Sequence, residues 1–289
     1  MRKRLVVSVS GGRTSGYMAK MLKDNAGSEY DMKFIFANTG LEHKDTLRFV
    51  NDIDINFGLN LIWVEAAVNH GERKSTGHKF INYSSASQSG QPMEEVISKY
   101  GIPNVSYPHC TRELKLNPMN SALRSIGWGD AYTAVGIRAD ESRRVSSAAD
   151  TNKIIYPLID MFPSDKQDVL TFWEDYSWDL AIPEWQGNCQ GCFKKSFKKL
   201  MQVHSETPEV FDFTRSMEAK YGRTGAEFTK RPETPDRVFF RENRDTNAME
   251  ALFKHTKENS PYAATRYISQ TDAGCSESCE VYPTEECKE

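Results

Sequence analysis

Apolar and polar positions follow two rhythms along the first half of the chain. Leu5-Val6-Val7-Ser8-Val9 is a short, nearly continuous apolar run, the pattern of a strand buried on both faces. A helical pattern follows over residues 15–24, through Tyr17-Met18-Ala19-Lys20-Met21-Leu22. Lys33-Phe34-Ile35-Phe36-Ala37 is a second strand pattern, ending at Asn38-Thr39-Gly40. Leu47, Val50, Ile53 and Phe57 then recur at helical spacing, and Asn60-Leu61-Ile62-Trp63-Val64 is a third strand. Residues 69–91 lose both rhythms and are rich in Gly, Ser, Asn and Gln, which predicts a long insertion or lid. Periodicity returns with a helix starting near Thr111, a strand over residues 131–135 and a helix over residues 166–176. Trp173 and Trp178 are expected in the core. Beyond about residue 205 the pattern is helical and more polar, and from Thr271 it is acidic and short of aliphatics.

Alternation of this kind predicts an α/β fold: a doubly wound, mostly parallel sheet with a helical C-terminal extension, its ligand site at the C-terminal ends of the strands. The chain has 289 residues, enough for a substantial core. Its net charge of −3 argues against a wholly basic nucleic-acid binder. No apolar stretch approaches the ~20 residues that span a bilayer, so no membrane partner is expected. Arg2, Lys3 and Arg4 precede only the first short strand, which does not resemble a signal peptide, and a cytoplasmic protein is expected. Six cysteines in such a chain point to metal ligation or redox chemistry rather than to a disulfide framework.

Three constellations carry chemistry. Ser10-Gly11-Gly12-Arg13-Thr14-Ser15 lies between the first strand and the first helix, where glycines, hydroxyls and a helix N-terminus together make an anion cradle. The plainer alternative is a turn that only joins strand to helix. Gly136-Ile137-Arg138-Ala139-Asp140-Glu141-Ser142-Arg143-Arg144 follows the strand over residues 131–135. Its arginines suit bidentate recognition of phosphate or sulfate, and its acids could orient them or bind a cation; a solvated surface loop is the alternative. Cys189-Gln190-Gly191-Cys192 is a C-x-x-C, and Cys110 lies far upstream of it. Iron–sulfur ligation, structural zinc and a thiol redox pair are all open to these three cysteines. Lys194, Lys195, Lys198 and Lys199 beside the C-x-x-C are expected on a solvated helix face, with contact to a nucleic-acid backbone as the alternative.

Five motifs occur in order: S-G-G-R-T-S at 10–15, F-A-N-T-G at 36–40, C-T-R-E-L-K at 110–115, G-I-R-A-D-E-S-R-R at 136–144 and Y-P-L-I-D at 156–160. Together, over roughly residues 4–200, they resemble the phosphoadenosine phosphosulfate (PAPS) reductase-like branch of the PP-loop ATP pyrophosphatase (adenine nucleotide alpha hydrolase-like) superfamily. The resemblance implies a nucleotide-binding unit over residues 1–205, a helical extension over 206–270 and an acidic, cysteine-containing tail over 271–289. It implies ATP or another adenine nucleotide as ligand. Ser10, Gly11, Gly12, Arg13, Thr14 and Ser15 would hold phosphate, and Asn38, Thr39 and Gly40 would line the adenosine pocket. Gly136 would join the nucleotide site, with Arg112 and Lys115 as further anion clamps. Arg138, Asp140, Arg143 and Arg144 would be the catalytic candidates.

The chain departs from that pattern at three places. ATP-cleaving relatives carry S-G-G-K-D-S, whereas Arg13-Thr14 keeps the positive charge but loses an acid that could help hold magnesium. Iron–sulfur members of the group carry a cysteine or cysteine pair followed far downstream by C-x-x-C. The resemblance thus implies a [4Fe-4S] cluster on Cys110, Cys189 and Cys192, zinc being the alternative. His109 stands where a second cysteine would be, either as fourth ligand or beside an open iron. Reductases of the family end in E-C-G-[IL]-H, whereas this chain ends Glu286-Cys287-Lys288-Glu289, with Cys275 and Cys279 upstream.

The expectation is an iron–sulfur sulfurtransferase that adenylylates an acceptor and transfers sulfide. The alternatives are a sulfonucleotide reductase releasing sulfite and a non-catalytic regulator binding nucleotide and cluster. The acceptor (tRNA, DNA or a small molecule), the sulfur donor and the oligomeric state, a homodimer among the options, stay open.

Overall fold

Alternate residues of the central strands feed opposite cores, and that alternation builds the layers. The computed structural model describes residues 2–71 and 74–259. Strand β1 (Lys3–Ser8) is followed by helix α1 (Arg13–Asn25), β2 (Tyr30–Asn38), α2 (Lys44–Phe57) and β3 (Ile62–Ala67). Leu5 and Val7 of β1, with Phe34 and Phe36 of β2, face a core shared with α1 and α2. Val6, Ile35, Ala37 and Val64 face the other side, where helix α4 (Asn117–Ser125) supplies Met119, Ala122 and Leu123. Each strand is therefore apolar on both faces, as a helix-covered parallel sheet requires.

The six strands run in the order β4-β3-β2-β1-β5-β6, with β4 (Gly77–Ile81), β5 (Tyr132–Ala134) and β6 (Ile154–Ile155) completing the sheet. All pairs are parallel except β3·β4, in which Trp63 faces Ile81 and Ala67 faces Gly77. The chain winds outward from β1 through β2 and β3, then returns to lay β5 on the other side of β1. The β1/β5 junction is thus the point where the winding reverses, where open α/β sheets bind ligands. The expected doubly wound α/β fold is the observed one.

A second core lies beyond the sheet. Helix α3 (Gln91–Tyr100) gives it Met93, Val96 and Ile97, and the segment after it gives Cys110 and Leu114. After α5 (Pro157–Asp160) and α6 (Lys166–Glu174), helices α7 (Phe197–Glu206), α8 (Val210–Tyr221), α9 (Ala226–Lys230) and α10 (Thr246–Asn259) follow. Leu200, Val203, Phe211, Met217 and Phe253 from this region close the same core. The helical C-terminal region is therefore packed against the cysteine-bearing part of the chain.

One region differs from the sequence reading. The stretch expected as a featureless insertion holds β4, an edge strand whose Phe80 side is exposed, and α3 begins at its end. Trp173 is buried in the first core as expected, and Trp178 packs partly buried against it. No described helix is long and apolar enough to cross a membrane. The acidic tail with Cys275, Cys279 and Cys287 lies outside the described residues.

Candidate functional site

The loop after β1 is shaped by its serines and one glycine. Ser10 donates its backbone N–H to Ser15 Oγ at 3.0 Å, and Ser15 Oγ donates to the Gly12 carbonyl at 2.9 Å. Gly11 has φ +86°, and a Cβ there would meet the Thr46 methyl at 2.6 Å, so the position requires glycine. Gly12 caps α1 without any side-chain hydrogen bond, which leaves the helix N-terminus open to an anion.

The loop after β5 meets this cradle across the winding reversal. A Cβ on Gly136 would lie 3.4 Å from Ser15 Cα, so the two loops are in close backbone contact. Arg138, 3% exposed, donates to Thr14 Oγ1 at 3.2 Å and to Asp140 at 2.9 Å. Arg144 is also buried and donates to Glu141 at 2.6 Å, and Glu141 lies 3.5 Å from Arg138. Arg143 is exposed. Thr14, in the position of the absent acid, thus anchors Arg138. The two loops, with Thr46 and the stretch from α6 to Asn188, line a cleft of about 890 Å³. Arg13 lines it too, with its guanidinium paired to Asp179, another lining residue.

A second cavity of about 500 Å³ contains all three cysteines. Cys110 and Cys189 are buried and Cys192 is half-buried. After Cys110 the backbone makes one π-helical turn, Arg112–Leu116, closed by the Asn117 N–H on the Arg112 carbonyl. The wider i→i+5 turn brings residues five apart onto one face. Cys110 and the buried Lys115 therefore line the same cavity. The C-x-x-C turn is closed by the Cys192 N–H on the Cys189 carbonyl at 3.2 Å. It pairs with the chain after β2 through a bridge between Glu42 and Cys189 and a Gln190 N–H bond to the Leu41 carbonyl. Thr39 Oγ1 lies 3.2 Å from Cys189 Sγ and 2.8 Å from Glu42. Met93, Leu114, Phe193 and Phe239 make much of the remaining wall apolar.

The other expected residues divide between these two places or fall outside both. Asn38 is fully buried, donating to Glu65 at 2.6 Å and to the Ser87 carbonyl at 2.8 Å while accepting from the Gly40 N–H. It shapes the turn that presents Thr39 to the cysteine cavity. Arg112 is largely exposed and pairs with Glu113 at 2.7 Å. His109 packs against Tyr100 at 5.8 Å and is not among the residues lining the cavity. Burial, helped by the Arg237 and Arg112 charges, lowers its pKa to about 4, and its buried Nε2 has no hydrogen-bond partner among the described residues.

The lysines after the C-x-x-C do not form one solvated face. Lys195 is buried and donates to the Trp185 and Gly187 carbonyls at 2.9 and 2.5 Å, and buried Lys199 pairs with Glu184. Peptide carbonyls and a carboxylate supply the counter-dipoles that such burial demands. Lys198 alone of the four is exposed.

The two cavities share their dividing wall. Gly187 and Asn188 line the cleft between the two loops, and Cys189 and Gln190 line the cysteine cavity. Lys44 lines the cysteine cavity, and Thr46, two residues on, lines the cleft. Thr46 escaped the sequence reading: its buried Oγ1 has no hydrogen-bond partner among the described residues. Its one sequence signal is a hydroxyl on the apolar stripe of α2, one turn before Val50. Among the described residues no group of three or more His, Cys, Asp or Glu converges to hold one metal ion. Cys110, Cys189 and Cys192 nonetheless line one cavity, and thiolates serve as ligands to iron–sulfur clusters and to zinc alike.

An uncharacterized nin region protein, ORF290 of Escherichia phage lambda, is 29% identical over 283 residues, covering 96% of this chain and 94% of the phage protein. The PAPS reductase of Candida auris, solved as a phosphate complex, is 15% identical with a TM-score of 0.39, covering 61% of this chain and 74% of that one. The U34-tRNA thiolase NcsA of Methanococcus maripaludis, solved with its [4Fe-4S] cluster, is 14% identical with a TM-score of 0.40, covering 97% of this chain and 80% of that one. The model of the phosphoadenosine phosphosulfate reductase domain matches residues 4–163, more than half of the chain and every element from β1 to α5, and the chain belongs to that family.

Proposed function

We propose that this chain is an adenine-nucleotide-dependent sulfur-transfer enzyme. The observation that carries the reading is the shared wall: an anion cradle and a three-cysteine cavity lie on either side of residues 42–46 and 187–190. In this reading the backbone of Ser10, Gly11 and Gly12, the Ser15 hydroxyl and the N-terminus of α1 hold the nucleotide phosphates, with no phosphate contact assigned to the Arg13 side chain. Arg144 and Arg138 face the phosphorus centre, where an acceptor oxygen attacks and pyrophosphate leaves. Charge that develops on the phosphate oxygens is met by guanidinium groups already fixed by Glu141, Asp140 and Thr14, so little reorganisation is needed. A sulfur nucleophile then displaces AMP from the activated acceptor.

Cys110, Cys189 and Cys192 would hold an iron–sulfur cluster, which when bound supplies a site for inorganic sulfur. The residues around it supply the setting. Lys115 brings a positive charge among anionic ligands, Thr39 offers a hydroxyl to Cys189, and the apolar wall of Met93, Phe193 and Phe239 limits water.

The reductase reading has one observation of its own: a pair of buried arginines in the cleft suits sulfate as well as phosphate. Product analysis separates the two. Incubation with ATP and sulfide should release pyrophosphate and AMP once an acceptor is present. Release of sulfite from an adenylyl sulfate, with no pyrophosphate from ATP, would establish reduction instead.

A further inference from the structure

Arg13 occupies the loop position where related sequences carry lysine, and the simplest expectation is a phosphate ligand. Its guanidinium is already committed. Nε donates to Asp179 Oδ1 at 2.8 Å, Nη2 donates to Oδ2 at 2.8 Å, and Nη2 also reaches the Leu180 carbonyl at 2.6 Å. The two sides of this junction are each fastened once more. Trp173 Nε1 donates to the Arg13 carbonyl at 3.1 Å, and Arg48 Nη2 donates to the Asp179 carbonyl at 3.1 Å. A planar, two-pronged donor is needed for this junction, and lysine, a single point charge, could not replace it.

From the junction the chain runs along the phosphate cleft through Leu180, Ile182, Pro183 and Glu184 to Asn188. Its far end is held by Lys195 on the Trp185 and Gly187 carbonyls and by Lys199 on Glu184. The next residue is Cys189. Residues 179–188 are thus a strap over the cleft, pinned to the nucleotide loop at one end and delivering a cysteine at the other. We propose that Arg13 is a positioning residue that ties this strap to the nucleotide loop and so fixes the cysteine turn, and that it does not bind phosphate. The proposal rests on the reading of the cleft as a nucleotide site, and it assigns the loop's most conspicuous cation to the cysteine side of the molecule.

The test uses the metal-free full chain and two readouts: ATP affinity by calorimetry, and the alkylation rate of Cys189 and Cys192 by iodoacetamide with mass spectrometry. The variants are Arg13→Lys, Arg13→Met, Asp179→Asn and the Arg13→Met/Asp179→Asn double. A partly exposed pair of this kind should shift local opening by about fivefold, so each single variant should speed Cys189 alkylation by about that factor. The double variant should be no faster than either single, because both remove one interaction. Arg13→Lys should behave like Arg13→Met, ATP affinity should stay within about threefold of the parent, and the melting temperature should hold.

A phosphate-binding Arg13 gives the opposite pattern. Arg13→Met would lose ATP affinity by about tenfold or more, Arg13→Lys would retain it, and Asp179→Asn would match the parent. That result, or alkylation rates unmoved in all variants, overturns the proposal. A parent chain that binds no ATP removes the nucleotide reading alone, and the alkylation rates still decide the tie.

Discussion

The cleft at the winding reversal and the cysteine cavity lie back to back, and they are built differently. The cleft is assembled from two contiguous motifs, each a loop leaving a neighbouring strand, and its polar groups are held by other polar groups: Ser15 by Gly12, Arg138 by Thr14 and Asp140, Arg144 by Glu141. The cavity gathers residues from the turn after β2, from α3, from the π-turn, from the C-x-x-C and from α8, and Met93, Leu114, Phe193 and Phe239 add apolar wall around its cysteines. A site for a mobile, solvated anion needs donors fixed in advance. A site for thiolates and a resident inorganic group needs exclusion of water. The difference predicts that the two can be damaged separately.

The largest separation should come from Gly11→Ala. It forces a Cβ into a positive-φ position and against the Thr46 methyl, so ATP binding should fall by about two orders of magnitude and stability by about 2 kcal/mol. Alkylation of Cys110 and Cys189 should change only in proportion to the lost stability. Arg144→Met comes next, with ATP affinity down by about tenfold to a hundredfold, because a buried charge-assisted donor is lost, while metal content stays at the parental level. Calorimetry on both variants, beside metal analysis, checks the pair. Parallel loss of both functions in Arg144→Met would mean that the wall couples the sites more tightly than the packing suggests.

A third prediction belongs to the cysteine side. His109 is held neutral, its pKa lowered to about 4 chiefly by burial. Between the unfolded value near 6.5 and that folded value, the unfolded chain binds a proton that the folded chain refuses. Stability is therefore intact above about pH 6.5 and lost as the pH falls toward 4, by on the order of 2 kcal/mol. His109→Gln should flatten this acid limb in urea titrations from pH 7 to 4.5, leaving ATP affinity at pH 7 unchanged. The smallest effect is expected for Thr46→Val. Its hydroxyl makes no hydrogen bond within the described residues, so stability should stay within about 0.5 kcal/mol, while ATP affinity drops by about threefold as the cleft loses a donor.

The same contrast explains how much could be read from the sequence. The sheet was legible because Leu5-Val6-Val7 and Phe34-Ile35-Phe36-Ala37 are apolar on both faces, and the two loops at the winding reversal follow their strands directly. Strand β4 was not legible: it is a short edge strand with one exposed side, in a stretch of polar residues. Helix α3 carried a signal in the spacing of Met93, Val96 and Ile97, masked by Gly90 and Pro92 at its start. The C-x-x-C is visible in the sequence, but the π-turn that sets Lys115 and Cys110 into one cavity has no local signature. Arg13 and Asp179, or Lys199 and Glu184, meet only because the strap folds back over the cleft, and no periodicity encodes such a meeting.

The central claim is that one wall separates a nucleotide site from a cysteine-held iron–sulfur site, and the cysteine half is its more exposed part. The most direct measurement is the iron, acid-labile sulfide and zinc content of protein purified without oxygen, taken beside Cys110→Ala and Cys192→Ala. The account predicts about four irons and four sulfides per chain, lost in both variants. Stoichiometric zinc, or no metal in the parent protein, would contradict it.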